Sequence, residues 1–197
     1  MIAIIDYGAG NTANVKNAFT RLGAETMVSS NPKLWEKADG LILPGVGSFG
    51  AAMQRIEQNS SELASLIKQK PFLGICLGMQ LMFEKSEESQ GVSGLGIING
   101  SVKKFNGDLP VPHTGWNLVS ISDATLLDGI SDFYAYFVHS YYCEPADKRL
   151  TMATTNYGKK FPSIIARKNI LLTQFHPEKS GESGLLLLKN FIKEVRK

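Results

Sequence analysis

The chain has 197 residues, of which 43% are hydrophobic and 20% are charged. This length suits about one domain of roughly 150 residues with one substantial core, and the composition excludes disordered, collagen-like and coiled-coil proteins. The formal net charge is only +3, from 21 Lys and Arg against 18 Asp and Glu, and the basic pairs are scattered along the chain, so we expect no nucleic-acid and no membrane partner.

Short apolar runs alternate with amphipathic helical patterns through the first half of the chain. The runs predict strands at residues 2–7, 24–29, 40–43 and 71–75, and the helical patterns fall at residues 15–22, 49–56, 63–67 and 77–84. Strands separated by helices form βαβ crossovers. The pattern therefore predicts an α/β fold with an open, mainly parallel sheet and helices on both of its faces.

The second half of the chain consists of strand-like runs separated by short turns. These runs lie at residues 102–105, 118–122, 134–142, 151–156, 163–167 and 170–175, and we expect them to add antiparallel strands to the sheet. Apolar residues at helical spacing after residue 184 predict a C-terminal helix. The chain contains no internal repeat, low-complexity segment or linker, so residues 1–197 are expected to form a single domain.

The cysteine count and the N-terminal residues restrict the cellular setting. Two cysteines, Cys76 and Cys143, are too few for a disulfide framework or a four-cysteine zinc site. The first residues lack a basic region, and no apolar stretch approaches the ~20 residues needed to span a bilayer. We expect a cytoplasmic protein that uses neither a metal nor a cofactor.

The most informative segment is residues 71–80, where an apolar strand runs through Gly-x-Cys-x-Gly into a helix. This is the thiol form of the nucleophile elbow, in which flanking glycines permit a sharp strand-to-helix turn. The turn exposes the Cys76 sulfur at the carboxyl end of a parallel strand, and the helix N-terminus favours a thiolate there. The alternative is an ordinary buried cysteine. Cys143 has no such context and is expected to be inert.

A thiol nucleophile requires a proton acceptor, and three histidines are available. His176 follows the last predicted strand and precedes Pro177, so it lies where that strand opens into a loop. Because residues i and i+2 of an extended chain point the same way, Glu178 can orient the His176 imidazole. An accidental surface pair is the alternative. His113, predicted in a proline-flanked loop, and His139, in an aromatic strand, are more simply interpreted as structural hydrogen-bond donors.

Attack on an acyl carbon also requires backbone N–H donors for the oxyanion. Leu77, directly after the nucleophile, supplies one donor in the elbow geometry. Val46 and Gly47 lie in a glycine-rich turn between a strand and a helix, at the same predicted sheet edge. A phosphate-binding loop is disfavoured because the P-loop Lys-Ser/Thr ending and the Gly-x-Gly-x-x-Gly spacing are missing, and an ordinary βα turn is the remaining alternative.

Together these segments resemble the class I (triad) glutamine amidotransferases, and within them the glutaminase subunits of imidazole glycerol phosphate synthases of histidine biosynthesis. The resemblance covers nearly the whole chain. Its motifs lie at residues 6–11 (Asp-Tyr-Gly-Ala-Gly-Asn), 44–49 (Pro-Gly-Val-Gly-Ser-Phe), 74–80 (Gly-Ile-Cys-Leu-Gly-Met-Gln), 113–117 (His-Thr-Gly-Trp-Asn), 136–141 (Tyr-Phe-Val-His-Ser-Tyr) and 175–180 (Phe-His-Pro-Glu-Lys-Ser).

The resemblance implies a specific division of labour among the site residues. It implies that Cys76 forms a γ-glutamyl thioester, that His176 is the acid and base, and that Glu178 orients it. The backbone donors of the oxyanion site are matched by Val46, Gly47 and Leu77. The positions that hold glutamine are matched by Gly47, Gln80, Ser140 and Tyr141.

The resemblance also implies a partner, a (β/α)8-barrel cyclase subunit that receives the ammonia and makes imidazole glycerol phosphate and AICAR. The positions at that interface are matched by Asn11, Asn14, Trp116, Tyr136 and Lys179. The chain departs from many relatives nearby, with Thr12 and Ala13 in place of Leu-Arg and Thr114 in place of Met.

Three other functions are compatible with these motifs. The chain could serve another synthase, such as anthranilate synthase, which the co-purifying partner would reveal. It could be a non-catalytic binding protein that keeps the fold, although the retained cysteine, histidine and glutamate argue against this. A stand-alone cysteine hydrolase is the third, and the interface-like Asn11, Asn14 and Lys179 count against it.

Overall fold

A computed structural model describes residues 1–125 and 127–197. Its strands are β1 (Ile2–Ile5), β2 (Thr26–Ser29), β3 (Gly40–Gly45), β4 (Phe72–Cys76), β5 (Phe83–Ser86), β6 (Ile98–Lys104), β7 (His113–Ile121), β8 (Phe133–His139), β9 (Tyr141–Pro145), β10 (Thr151–Tyr157), β11 (Lys159–Arg167) and β12 (Ile170–Thr173). Its α-helices are α1 (Thr12–Arg21), α2 (Pro32–Lys37), α3 (Phe49–Ile56), α4 (Ser60–Gln69), α5 (Leu77–Gln80) and α6 (Gly181–Val195).

A nine-stranded mixed sheet with the order β2-β1-β3-β4-β12-β11-β10-β7-β8 forms the centre of the molecule. The strands from β2 to β12 pair in parallel, and the strands from β12 to β8 pair antiparallel. A second sheet of three strands has the order β5-β6-β9. The predicted α/β fold, with a parallel sheet extended by antiparallel strands, is confirmed.

Two hydrophobic cores cover opposite faces of the large sheet, because alternate residues of each strand point to opposite sides. In β1, Ile2 and Ile4 face one core, and Ala3 and Ile5 face the other. Helices α1 and α6 pack on the first face, and α2, α3 and α4 pack on the second. The prediction of helices on both faces is therefore confirmed.

The structure differs from the predicted elements in four places. Helix α2 was not predicted, although Asn31 caps it and Pro32 begins it, which is a typical helix start. Strand β3 continues through Gly45 instead of ending before Pro44, since the pairing with β4 extends to Gly45 opposite Cys76. The helix predicted over residues 77–84 ends at Gln80, and the chain then forms β5. Because residues 77–83 are all buried, their pattern cannot separate helix from strand.

The fourth difference concerns residues 113–142, which contribute three strands. His113 does not lie in a loop but begins β7, where it pairs with His139 of β8. The single strand predicted over residues 134–142 is broken at Ser140 into β8 and β9. Strand β8 belongs to the large sheet and β9 to the small one, so the chain changes sheets at a position that a continuous aromatic run conceals.

Pairing in the middle of the large sheet brings three loops to one edge. Strands β3, β4 and β12 are parallel neighbours, so their carboxyl ends point the same way. The segments that follow them contain Val46, Leu77 and His176, respectively. Ligands bind at this edge of open α/β sheets. Within the described part of the chain, no helix combines the length and apolar character needed to cross a membrane.

Candidate active site

Cys76 lies at a sharp turn between β4 and α5 and has a φ of 54°. A non-glycine residue with positive φ is uncommon, and such backbone strain clusters at functional sites. A Cβ at Gly78 would overlap the Leu43 carbonyl oxygen, and one at Gly74 would lie 2.9 Å from the Gly78 oxygen. Both flanking glycines are therefore required by close backbone contacts, which is the geometry expected of a nucleophile elbow.

The Cys76 sulfur is enclosed but reaches a pocket. The residue is 6% exposed, and Sγ lies 3.9 Å from the Val138 carbonyl oxygen and 3.8 Å from Nε2 of Gln174. Burial leaves few competing water contacts, so neighbouring charges act strongly on this sulfur.

His176 and Glu178 form a buried pair beside the cysteine. Nδ1 of His176 is 2.9 Å from Oε1 of Glu178, and the two side chains are 3% and 1% exposed. Burial alone would lower the pKa of His176, but the adjacent Cys76 sulfur and the Glu178 carboxylate favour the imidazolium and raise it to about 10. Nε2 of His176 has no hydrogen-bond partner among the described residues and remains available for proton transfer.

His176 and Glu178 are in contact as expected, but not because the chain between them is extended, as the sequence predicted. Residues Pro177–Lys179 form a 3-10 turn rather than extended chain. The Ser180 hydroxyl donates to the His176 carbonyl oxygen over 2.6 Å and stabilises this turn. The turn carries the carboxylate back towards the imidazole.

A pocket of ≈ 210 Å³ opens at Cys76. Eight residues singled out in the sequence line it, namely Val46, Gly47, Cys76, Leu77, Gln80, His139, Ser140 and Tyr141. The residues of the turn after β3 reach Leu77 because Gly45 pairs with Cys76. Gly47 has a φ of 99°, a conformation that favours glycine.

The pocket also contains residues that sequence reasoning missed, and Glu88 is the most informative of them. It is the one carboxylate among the described residues that line the pocket. Its Oε2 accepts the Phe49 N–H over 2.7 Å at the N-terminus of α3, which fixes the side chain. Glu88 lies in a loop after β5, so only the packing of the small sheet brings it here.

Gln174 is a second residue that was missed, although it lies two positions before His176. Its Nε2 faces the Cys76 sulfur, and its Oε1 accepts from Nε2 of Gln80 over 3.3 Å. Gln80 also donates to the Tyr141 carbonyl oxygen over 3.0 Å. The two amides therefore connect the Cys76 sulfur to the Tyr141 carbonyl oxygen at the pocket wall. The alternation of a strand could have indicated that Gln174 and His176 lie near each other.

His113 and His139 are buried and hydrogen-bond each other, Nδ1 to Nε2, over 3.0 Å, and His139 also lines the pocket. Burial lowers the pKa of His113 to about 4 and that of His139 to about 3, so both are neutral at pH 7. This agrees with their interpretation as structural groups. Cys143 is fully buried in β9, and burial raises its pKa.

Three of the five residues assigned to a partner interface form one cluster. Trp116 and Tyr136 pair across β7 and β8 with ring centroids 6.2 Å apart, and Nζ of Lys179 lies 5.7 Å from the centre of the Tyr136 ring. Asn11 caps α1 through the Asn14 N–H, and α1 contacts the turn that carries Lys179. Trp116 is 57% exposed, which is typical of an interaction surface.

Three histidines with shifted pKa values predict a pH optimum for stability. His113 and His139 have lowered pKa values, so their stabilising effect is present above pH ~6.5 and is lost on acidification through the lowered values. His176 has a raised pKa, so its contribution is present below pH ~6.5 and is lost as the pH rises towards 10. We expect the free energy of unfolding, measured in urea between pH 5 and 9, to peak near pH ~6.5. A curve that is flat from pH 5 to 8 would contradict these protonation states.

Among the described residues, no group of three or more His, Cys, Asp or Glu side chains is arranged to hold a metal ion.

Comparison with known proteins adds a family assignment. The sequence profile of glutamine amidotransferase class-I matches residues 3–195. The chain is 50% identical to imidazole glycerol phosphate synthase subunit HisH of Methanothermobacter thermautotrophicus, over 100% of both chains. It is 46% identical to the subunit of the same name of Bacillus cereus, over 97% of this chain and 93% of that one.

Solved structures share the fold at low sequence identity. A crystal structure of a glutamine amidotransferase has a TM-score of 0.79 and 17% identity, covering 100% of this chain and 99% of that one. A glutamine amidotransferase from Thermotoga maritima has a TM-score of 0.66 and 16% identity, covering 100% and 97%. These likenesses identify the fold alone.

Proposed function

This chain belongs to the class-I glutamine amidotransferase family, and from that premise we propose that it hydrolyses glutamine to glutamate and ammonia as the glutaminase subunit of an imidazole glycerol phosphate synthase. One observation carries the catalytic part of the proposal: Cys76 lies on a strained turn at the pocket, and the buried His176–Glu178 pair is close enough for the sulfur to raise the pKa of His176. The names of relatives at 46–50% identity support the subunit assignment.

The proposed reaction passes through a thioester on Cys76. His176 is protonated at pH 7 because its pKa is raised to about 10, so the Cys76 sulfur attacks the carboxamide carbon of glutamine as a thiolate. Nε2 of His176 then gives its proton to the departing nitrogen, the C–N bond breaks and ammonia leaves. Water then attacks the γ-glutamyl thioester while His176 accepts its proton. The C–S bond breaks, which restores the thiolate beside the imidazolium, and glutamate is released after its new carboxyl group loses a proton to water. Glu178 holds Nδ1 of the imidazole and stabilises its positive charge in both steps.

The oxyanion formed in each attack requires preorganised donors. Leu77 begins α5, and Val46, Gly47 and Leu77 all line the pocket. We assign the oxyanion site to these three residues. Because Gly47 has a positive φ and lies in an exposed turn, this turn can change its peptide orientation more easily than the buried elbow can.

Glutamine carries an α-ammonium and an α-carboxylate, and the pocket offers groups for both ends of the substrate. Glu88 supplies a negative charge for the α-ammonium, whereas none of the residues predicted to bind glutamine is acidic. Gly47, Gln80, Ser140 and Tyr141 line the remaining wall and are proposed to orient the carboxamide and the α-carboxylate.

A Glu88→Gln variant tests the substrate assignment. The substituted side chain keeps an oxygen that can accept the Phe49 N–H but loses the negative charge. We therefore expect the KM for the substrate glutamine to rise by about tenfold, with kcat changed by less than about threefold. Steady-state glutaminase kinetics measure both constants. Glu87→Gln is the matched control, because Glu87 pairs with Lys103 outside the pocket. An equal effect of both variants would remove Glu88 from the substrate site.

We further propose that the partner is the cyclase subunit, bound as a heterodimer through Asn11, Asn14, Trp116, Tyr136 and Lys179. The exposed cluster of Trp116, Tyr136 and Lys179 supports this surface. Residues 1–197 are proposed to act as one amidotransferase domain, which the match over residues 3–195 supports. The reaction is assigned to the cytoplasm, where a thiol nucleophile stays reduced.

Affinity capture from the source cells, followed by glutaminase assays with and without the captured protein, tests this function. We expect a cyclase to co-purify and to increase glutamine hydrolysis. Capture of a different synthase would reassign the subunit but retain the amidotransferase activity. Absence of glutamine hydrolysis with the partner and its ligand would indicate a binding protein, and full activity of the lone chain would indicate a stand-alone hydrolase.

A further inference from the structure

A line of hydrogen bonds runs from Asn117 in β7 to the wall of the pocket. Nδ2 of Asn117 lies 3.1 Å from Nε2 of His113, and Nδ1 of His113 lies 3.0 Å from Nε2 of His139. Nδ1 of His139 lies 2.7 Å from the carbonyl oxygen of Tyr141. That oxygen also accepts from Nε2 of Gln80. All three distances of the line are within the normal range for hydrogen bonds.

The direction of this line is determined at its two ends. The Asn117 Oδ1 accepts the Leu118 N–H over 2.8 Å, and Nδ2 donates to the Asn156 carbonyl oxygen over 3.0 Å, so the amide has one orientation. Its second N–H then donates to His113, which must carry its own proton on Nδ1. At the other end the Tyr141 carbonyl can only accept, so His139 also carries its proton on Nδ1.

Packing prevents the two imidazoles from turning. The His113 ring stacks on Tyr157 with centroids 4.0 Å apart and on Phe137 with centroids 4.8 Å apart. Phe105 meets the His139 ring edge-on at 5.4 Å. Both histidines are buried, and their lowered pKa values keep them neutral, so each can donate one hydrogen bond and accept another.

We propose that Asn117, His113 and His139 are positioning residues for glutamine binding, because their one-directional hydrogen-bond line holds the Tyr141 carbonyl and, through it, the Gln80 amide at the pocket wall. This inference rests on the proposed function, since it assigns the pocket to glutamine. Tyr141, Gln80 and His139 itself line that pocket, and Gln80 connects through Gln174 to the Cys76 sulfur. Loss of the line releases the substrate-binding wall while Cys76, His176 and Glu178 stay in place.

The tautomers can be measured without any activity. In ¹⁵N NMR spectra of the full chain at pH 7, we expect both His113 and His139 to be neutral with the proton on Nδ1. Asn117→Asp replaces the donor with an acceptor, so the His113 proton is expected to move to Nε2. A wild-type spectrum with the proton on Nε2 of either histidine would overturn the proposal.

Kinetics of the chain with its synthase partner test the positioning role. His139→Leu removes the donor to Tyr141, and we expect the KM for glutamine to rise about fivefold with kcat changed by less than about twofold. His139→Asn can donate to Tyr141 from the position of Nδ1 but has no atom at the position of Nε2 to accept from His113, so we expect a KM between those of the wild type and His139→Leu. If His139→Leu does not fold, Asn117→Asp provides a second test, because it keeps the size of the side chain. It is also expected to raise the KM for glutamine.

The control is Asn169→Leu, which removes amide hydrogen bonds to the Ile67 and Lys70 carbonyl oxygens far from the pocket. We expect it to lower stability without changing KM. If His139→Leu and Asn117→Asp leave KM unchanged, or if His139→Asn behaves like His139→Leu, the positioning role is wrong. If the wild-type complex does not hydrolyse glutamine, the proposed function fails instead, and the NMR result still stands on its own.

Discussion

A Cys76→Ala variant is expected to lose glutamine hydrolysis by a factor of ~10⁴ or more, because no other group at the pocket can form the thioester. The proposed cyclase partner should still use free ammonia, since its reaction needs only the nitrogen. Both activities can be measured on the same assembled complex, with glutamine or an ammonium salt as the nitrogen source. The side chain is small and 6% exposed, so alanine should preserve the fold.

Cys143→Ala provides the matched control for this experiment. Cys143 is the other free cysteine and is fully buried in β9, so its variant is expected to retain glutamine-dependent activity. If the Cys76 variant remains active with glutamine, the thiol is not the nucleophile. A loss of activity with both glutamine and the ammonium salt would mean instead that the variant no longer assembles with its partner.

The second large effect is expected from Glu178→Gln. The carboxylate is buried 2.9 Å from Nδ1 of His176 and helps to raise the pKa of the imidazole. A neutral amide removes that charge and can present either an oxygen or an NH₂ group to Nδ1, so both the tautomer and the imidazolium lose support. We expect kcat to fall by about 10²- to 10⁴-fold and the pKa of His176 to fall towards its ordinary value.

The fall in kcat is measured by steady-state kinetics, and the pKa by NMR titration of His176. Glu182→Gln is the control, because Glu182 lies exposed in the first turn of α6. Unchanged kcat in the Glu178 variant would show that the carboxylate is structural only. A fall in kcat with an unaltered pKa would contradict the electrostatic role.

The parts of the site that could be predicted are those encoded by neighbouring residues. The elbow at Cys76 depends on two glycines within two residues of it, and the pair of His176 and Glu178 lies within one turn. The alternation of apolar runs and helices predicted the parallel half of the sheet. Because these strands are parallel, their carboxyl ends meet at one edge.

The parts that could not be predicted depend on contacts between distant segments. Glu88 reaches the pocket only because β5 joins the small sheet beside β6. The break at Ser140 is invisible in the sequence, since both β8 and β9 are aromatic and largely buried. His113 was assigned to a loop because prolines precede it, but pairing of β7 with β8 extends the strand to this residue.

The most direct test of the whole account uses a glutamine analogue that carries an electrophilic carbon, followed by peptide mapping of the labelled chain. If the Cys76 sulfur, the His176 imidazole and the pocket act together on glutamine, the analogue will modify Cys76 alone, and an excess of free glutamine will slow the modification. Labelling that is spread over other side chains, or that glutamine leaves unaffected, would contradict the account.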